Sequence, residues 1–312
     1  MTTSPTPEHV EHVYDKAAVR CNRSVLGSEL MQIPSLLIAP LGLMGNGVVL
    51  WLLGFRIRRT PFSVYILNLA GADALFLCCS LLDSIENFVR YFHDLFKHEI
   101  MLNLNYLFYT TGMSLLAAIS TERCLSVLFP IWYRCHRPKH TSASVCAVLW
   151  ALVGSLWVNG LVTCSHISWH VLCRFNILEG VCFILLTCVL CVSSLTLLLR
   201  VQCSSQSRQP PRLYLLVLLT VLVFLLCGLP WGIEDLICYH LKGRLLPHWL
   251  FQLLACVNSS MNPLIYFFLG SQSFKRKREP LRVILQRVLG DEQELGGGTS
   301  DMPHTSIQEM TL

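Results

Sequence analysis

Residues 213–230 read LYLLVLLTVLVFLLCGLP. A helix that packs on a soluble core shows an apolar stripe at a 3.6-residue period, whereas this stretch is apolar on every side. No Asp, Glu, Lys or Arg interrupts it, and the run extends to residue 239, with Glu234 and Asp235 near its end. At ~1.5 Å of rise per residue, ~20 such residues cross the ~30 Å of hydrocarbon in a bilayer. Six further runs, at 31–53, 62–85, 100–128, 143–164, 177–201 and 245–269, meet the same length. Each is expected to be a spanning helix, because a backbone in lipid has to satisfy its own polar groups. An outer-membrane barrel would need alternating segments of ~10 residues, and none occurs. The whole chain agrees: of 312 residues, 53% are hydrophobic and 14% charged, well below the ~25% charge of a soluble domain. The expected fold is an all-α membrane protein, a seven-transmembrane helix bundle.

Loop charge sets the orientation. Of 24 basic residues, three (Arg56, Arg58, Arg59) follow the first span and three (Arg134, Arg137, Lys139) the third. Three more (Arg200, Arg208, Arg212) bracket the loop between the fifth and sixth spans, and six (275–278, Arg282, Arg287) follow the seventh. Positive charge marks the cytoplasmic face, which places the N-terminus outside. Residues 1–30 then form an extracellular segment without an apolar core of signal-peptide length, so the first span serves as the targeting anchor. In that segment Asn22-Arg23-Ser24 is a glycosylation sequon. Residues 31–269 form the bundle. Residues 270–289, with Leu281, Ile284, Leu285, Val288 and Leu289 at helical spacing among basic residues, are expected as an amphipathic cytoplasmic helix against the lipids of the inner leaflet. That place makes the basic run 275–278 a lipid anchor rather than a nucleic-acid contact. Residues 290–312 have the composition of a disordered tail.

Most of the 15 cysteines fall in spans or on the cytoplasmic side, where they act as small apolar packing residues. Cys164 and Cys173 flank a short outside segment, 165–172. An oxidising compartment permits a bridge between them; the plain alternative is two unrelated cysteines at membrane ends.

Ionisable and amide side chains at membrane depth are expensive and mark function. Asp73 lies mid-depth on the second span, where it needs partners; Asn46, Asn258, Ser259 and Asn262 are the candidates, as a hydrogen-bond knot or as a water and ion cluster. Glu122 and Arg123 sit at the cytoplasmic end of the third span, adjacent but pointing ~100° apart, so that any pairing between them is local and breakable. Pro230 and Pro263 each remove a backbone donor in mid-span, and Gly228 just before Pro230 makes that kink a pivot.

No nucleotide loop, nucleophile motif, cofactor motif or metal-ligand cluster appears, so the chain does not read as an enzyme. A seven-span transporter or channel is the alternative, with Asp73, Asn258 and Asn262 along a path, but the two halves show no internal repeat.

In order along the chain, Gly45-Asn46, Asp73, Glu122-Arg123-Cys124, Trp150, Pro230 and NPLIY at 262–266 resemble the rhodopsin-like G-protein-coupled receptors. Within that class, WLLGFR at 51–56, ILNLA at 66–70, STERCLSVL at 120–128, PIWYRCHRP at 130–138 and LLCGLP at 225–230 are similar to the Mas-related receptors. The resemblance implies a plasma-membrane receptor for an extracellular peptide, amine or other small molecule. It also implies coupling to heterotrimeric G proteins, chiefly the phospholipase C and calcium branch with an inhibitory branch beside it. Glu122, Arg123, Gly228, Pro230, Asn262, Pro263 and Tyr266 then form the activation machinery. Several departures from the wider class recur in Mas-related receptors. Residues 100–109 lack the usual bridging cysteine, which supports the pair Cys164 and Cys173 instead, and Gly228 stands where a tryptophan toggle is usual. Gly112 replaces the serine of the class's sodium site, which argues against tight sodium binding. Several Mas-related receptors hold cationic ligands with two acids whose positions here are Gly160 and Ile177. A cationic ligand would need relocated contacts, for which Asp83, Glu179, Glu234, Asp235 and Trp231 are the candidates. For the acids the plainer reading is a solvated rim charge, and for Trp231 an interfacial aromatic belt.

Overall fold

The computed structural model describes residues 33–57, 60–89, 95–138, 140–166, 169–203, 212–233, 248–271 and 285. Among them every regular element is helical. The elements are α1 (Ile33–Trp51), α2 (Pro61–Val89), α3 (Leu95–Leu128), α4 (Pro130–Cys135), α5 (Thr141–His166), α6 (Trp169–Cys203), α7 (Arg212–Val223) and α8 (His248–Ser271). Seven of these match the seven apolar runs, and the short α4 lies in the loop after α3. Two continue through π-turns: α1 through Leu52–Arg56, and α7 through Phe224–Gly228, after which helix resumes over 229–233. The start of α2 is closed by a reciprocal cap, in which the Ser63 N–H donates to Thr60 Oγ1 at 3.1 Å and the Thr60 N–H to Ser63 Oγ at 2.7 Å.

The helices overrun their apolar runs. Residues 165–172, expected as an outside loop, are largely helical, since α5 continues to His166 and α6 begins at Trp169. Apolar length measures the hydrocarbon crossed, whereas helical hydrogen bonding can continue into the headgroup region. Asn22, most of the amphipathic segment and the 290–312 tail lie outside the described residues. Beyond Ser271, Leu285 is the described residue of that segment; it is helical and buried.

Five helices, α1, α2, α5, α6 and α7, are long and apolar enough to cross a membrane by composition alone. The other two, α3 and α8, fall short because they carry the buried polar load: Asn105, Thr111, Ser114, Ser120, Glu122 and Arg123 on α3, and Gln252, Asn258, Ser259, Ser260 and Asn262 on α8. They are also central, with α3 packed on α2, α5, α6 and α7, and α8 on α1, α2 and α7. The outward faces are apolar, as at Leu37, Leu41 and Met44 on α1 and Val192 and Leu195 on α6. A bilayer covers such faces, so helix contact rests on close packing rather than on exclusion of water. Small residues supply that fit: a Cβ on Gly45 would sit 3.1 Å from Pro263 Cβ, and one on Gly42 would collide with Ser260.

Candidate functional site

Along the bundle axis the buried polar and aromatic groups fall into three layers, built chiefly on α2, α3, α7 and α8.

The outer layer is aromatic. Trp231 is buried, not at a lipid interface as an aromatic belt would require. It stacks on Tyr109 of α3, with ring centroids 5.2 Å apart and planes 28° apart, and leans on Phe76 of α2 at 5.3 Å. The Tyr109 hydroxyl donates to the backbone carbonyl of Gly228 at 2.8 Å. Carbonyls near Pro230 lose their usual helical donors, and the π-turn ending at Gly228 rearranges the rest: the Leu229 N–H reaches back to the Phe224 carbonyl. Gly228 is required for close approach. A Cβ there would lie 2.6 Å from Phe224 Cδ2 and 3.3 Å from Asn258 Cγ. The tryptophan usual at this position therefore has no room, and Trp231, one turn outward, supplies the ring instead. Asp83, read from the sequence as a solvated rim charge, is 5% exposed and accepts a hydrogen bond from Gln252 Nε2 at 3.3 Å. It lies under the rim because α2 and α8 close over it. Glu86 is half-buried. Glu234 and Asp235, and the side chains of Glu179, Cys164 and Cys173, lie outside the described residues.

The middle layer centres on Asp73, which accepts a hydrogen bond from Asn262 Nδ2 at 2.7 Å. Asn46 turns elsewhere: its Nδ2 donates to the carbonyls of Gly42 and Ser259, both at 3.0 Å, tying α1 to α8. Asn258 faces Gly228 on α7. Asn46 Oδ1, Asn258 Oδ1, Asn262 Oδ1 and Ser260 Oγ are buried without a partner among the described residues. An acceptor-rich cluster of this kind suits waters. Beside it, a Cβ on Gly112 would stand 3.8 Å from Asp73 Oδ1, leaving open the space that a serine would fill.

The inner layer holds Glu122 and Arg123 at the end of α3. Glu122 accepts from Tyr65 OH at 3.2 Å, Tyr133 OH at 3.0 Å and Arg137 Nε at 2.5 Å. Arg123 is 2% exposed, and its guanidinium lies over the Phe62 ring, 3.9 Å from the centroid. Adjacent positions on a helix face different neighbours, so the two charges part: Glu122 turns to α2 and the α4 loop, Arg123 to Phe62. Arg137 Nη2 also donates to Ser142 Oγ at 2.6 Å, closing a network across α2, α3, α4 and α5. Burial alone would lower the pKa of Arg137, but its bond to Glu122 and that residue's charge outweigh burial and raise it. The Arg137 side chain is 7% exposed and the Glu122 side chain 10%. Tyr266, on the inner part of α8, is buried.

Sequence reasoning missed Tyr109, Phe76, Tyr65, Tyr133 and Arg137. Nothing in the consecutive residues marks these aromatics, whose partners lie on other helices, and Arg137 reads as one positive loop charge among several.

Residues 45–266 match the 7 transmembrane receptor (rhodopsin family) profile, from Gly45 beside Asn46 to Tyr266. The chain is 47% identical over 287 residues to Mas-related G-protein coupled receptor member D of Macaca fascicularis, covering 86% of this chain and 87% of that one. It is 44% identical over 306 residues to member X2 of Rhinopithecus bieti (87% and 88%) and 43% identical over 284 residues to human member X1 (87% of each). An Asp-centred middle layer, a buried arginine at the inner end of α3 and an α7 whose π-turn precedes Pro230 thus stand in a chain that belongs to the Mas-related receptors, within the rhodopsin family of seven-transmembrane, G-protein-coupled receptors.

Proposed function

We propose that an extracellular peptide, amine or other small molecule binds among the outer helix ends, near Trp231 and Asp83, and favours a swing of α7 about Pro230. The N-terminus faces outside the cell. The swing withdraws the Gly228 carbonyl from Tyr109, rearranges the layer around Asp73 and Asn262, and frees Arg123 to meet the G protein, with Tyr266 turning inward. An agonist drives this only by its differential affinity for the two states. The observation that carries the reading is the bond from Tyr109 to the Gly228 carbonyl, next to the stacked Trp231. It joins the outer aromatic layer directly to the segment of α7 that has to move. Arg123 is buried in the arrangement described, so coupling requires that it become accessible. The exposed Ile131 and Trp132 of α4 and the basic second and third cytoplasmic loops supply the docking face, and the main output is the phospholipase C and calcium branch, with an inhibitory branch beside it.

The test is a calcium assay in cells lacking individual Gα classes. Loss of response without Gq-class subunits is expected, and loss only without Gi would overturn the branch assignment. An Arg123→Ala receptor expressed at the normal surface level should be silent; normal signalling from it would sink the mechanism.

A further inference from the structure

Arg123 is buried at the inner end of α3, and a buried guanidinium needs a partner. A carboxylate is the common one, but Glu122 beside it already accepts from Tyr65, Tyr133 and Arg137. Nor can α7 supply one: residues 180–233, which take in the inner end of α6, the loop after it and α7 with its continuation, contain no Asp or Glu. The Phe62 ring faces the guanidinium, with Arg123 Cζ 3.9 Å from the ring centroid. Phe62 is itself buried, so the contact is desolvated, the condition under which a cation–π attraction is strongest. The ring is fixed by its surroundings. Pro61 and the reciprocal cap of Thr60 and Ser63 set the first turn of α2, in which Phe62 sits. Tyr65, three residues on and so on the same face, reaches Glu122. One turn of α2 therefore meets both successive charges of α3, the cation with a ring and the anion with a hydroxyl.

Given that Arg123 has to become accessible for coupling, as in the function proposed above, we propose that Phe62 is the positioning residue for Arg123. The face of its ring holds the guanidinium against α2, and loss of that cation–π contact is the step that releases Arg123 toward the G protein. Breaking a buried ion pair strands a carboxylate, whereas a guanidinium that leaves Phe62 strands only an apolar ring. Once the swing of α7 admits water to the inner end of α3, the cation gains hydration that the ring does not match. The contact thus favours the buried position and still lets the release be reversible.

The test replaces Phe62, in the full-length receptor expressed in cells by nonsense suppression, with phenylalanines carrying one, two and three ring fluorines. Fluorine drains the negative face of the ring while nearly keeping its shape and apolarity, so a role in packing alone gives no graded effect. The readout is basal GTPγS binding by membranes at equal surface expression, which reports every G-protein class. It should rise stepwise along the series, reaching about threefold to tenfold at three fluorines, with agonist potency rising in parallel. Phe62→Leu, which removes the ring, should raise basal binding at least as much, and the fluorine series decides the question if that variant fails to reach the surface. The same three analogues at Phe251, a buried ring on α8, should leave basal binding unchanged. A flat or falling series at Phe62, or one matched at Phe251, would overturn the proposal. Arg123→Ala separates the two possible failures. Normal signalling from it defeats the coupling role of Arg123 itself, whereas a silent Arg123→Ala beside a flat Phe62 series defeats the role of Phe62 alone.

Discussion

Tyr109 is one hydroxyl from phenylalanine, and that hydroxyl donates to the Gly228 carbonyl. Tyr109→Phe keeps the stack on Trp231 and removes the bond, which contributes about 1 kcal/mol to the state with α7 packed inward. That is roughly a fivefold change in the ratio of the two states. The expected outcome is basal inositol phosphate production about fivefold above the unsubstituted receptor at equal surface expression, with agonist potency raised in parallel. Unchanged basal output would show that the bond survives activation and is no part of the switch. Gly112 offers a second single-residue test. Its missing side chain leaves space beside Asp73 Oδ1, so Gly112→Ser adds a hydroxyl oxygen to an acceptor-rich cluster and should create sodium-dependent suppression of basal signalling. Replacing sodium with a bulky organic cation in the medium reads this out. Equal basal signals in both media would mean that the cluster holds water alone even with the added ligand.

At the scale of the element, α7 shows how a helix accommodates a proline. Pro230 removes a donor, the π-turn at Phe224–Gly228 redistributes the bonding, and the turn brings Gly228 against Phe224 and Asn258. Gly228→Ala overpacks this contact and should cost about 1–3 kcal/mol. Gly47→Ala, on α1 with nothing within 4 Å of the added Cβ, should stabilise by up to ~1 kcal/mol through helix propensity. Thermal unfolding of the solubilised receptor compares them: opposite shifts in Tm are expected, and a neutral Gly228→Ala would mean that Phe224 yields freely. How much of this was legible beforehand follows from the physics. The spans could be read because hydrophobic length is a property of consecutive residues, and the missing donor at Pro230 because a proline acts on its own backbone. The π-turn, the departure of Arg123 from Glu122 and the burial of Asp83 could not. Each depends on which helix lies opposite, and that is set by packing between positions far apart in sequence, such as 83 and 252 or 109 and 228.

For the whole molecule, polarity is arranged opposite to that of a soluble domain. Apolar side chains face outward to lipid, while the centre holds carboxylates, amides and hydroxyls whose bonds cross between helices. Such bonds average less than 1 kcal/mol each between membrane helices, because unpaired groups find other partners within the membrane. The buried ion pair of Glu122 and Arg137 is a different case. It sits at the inner rim and is backed by Tyr65, Tyr133 and Ser142, so removing one charge strands the other. Arg137→Ala should therefore destabilise the receptor by about 3 kcal/mol. Glu122→Gln should cost less, because the amide oxygen still accepts from the tyrosines. The double variant should be more stable than the sum of the two losses by about 1–3 kcal/mol. Thermal unfolding of the four receptors closes the cycle. If the pair also holds the α4 loop in place for the G protein, Arg137→Ala lowers the maximal calcium response while leaving agonist affinity unchanged. Strict additivity in the cycle would mean that Arg137 is held by Ser142 alone and that Glu122 belongs to the tyrosines.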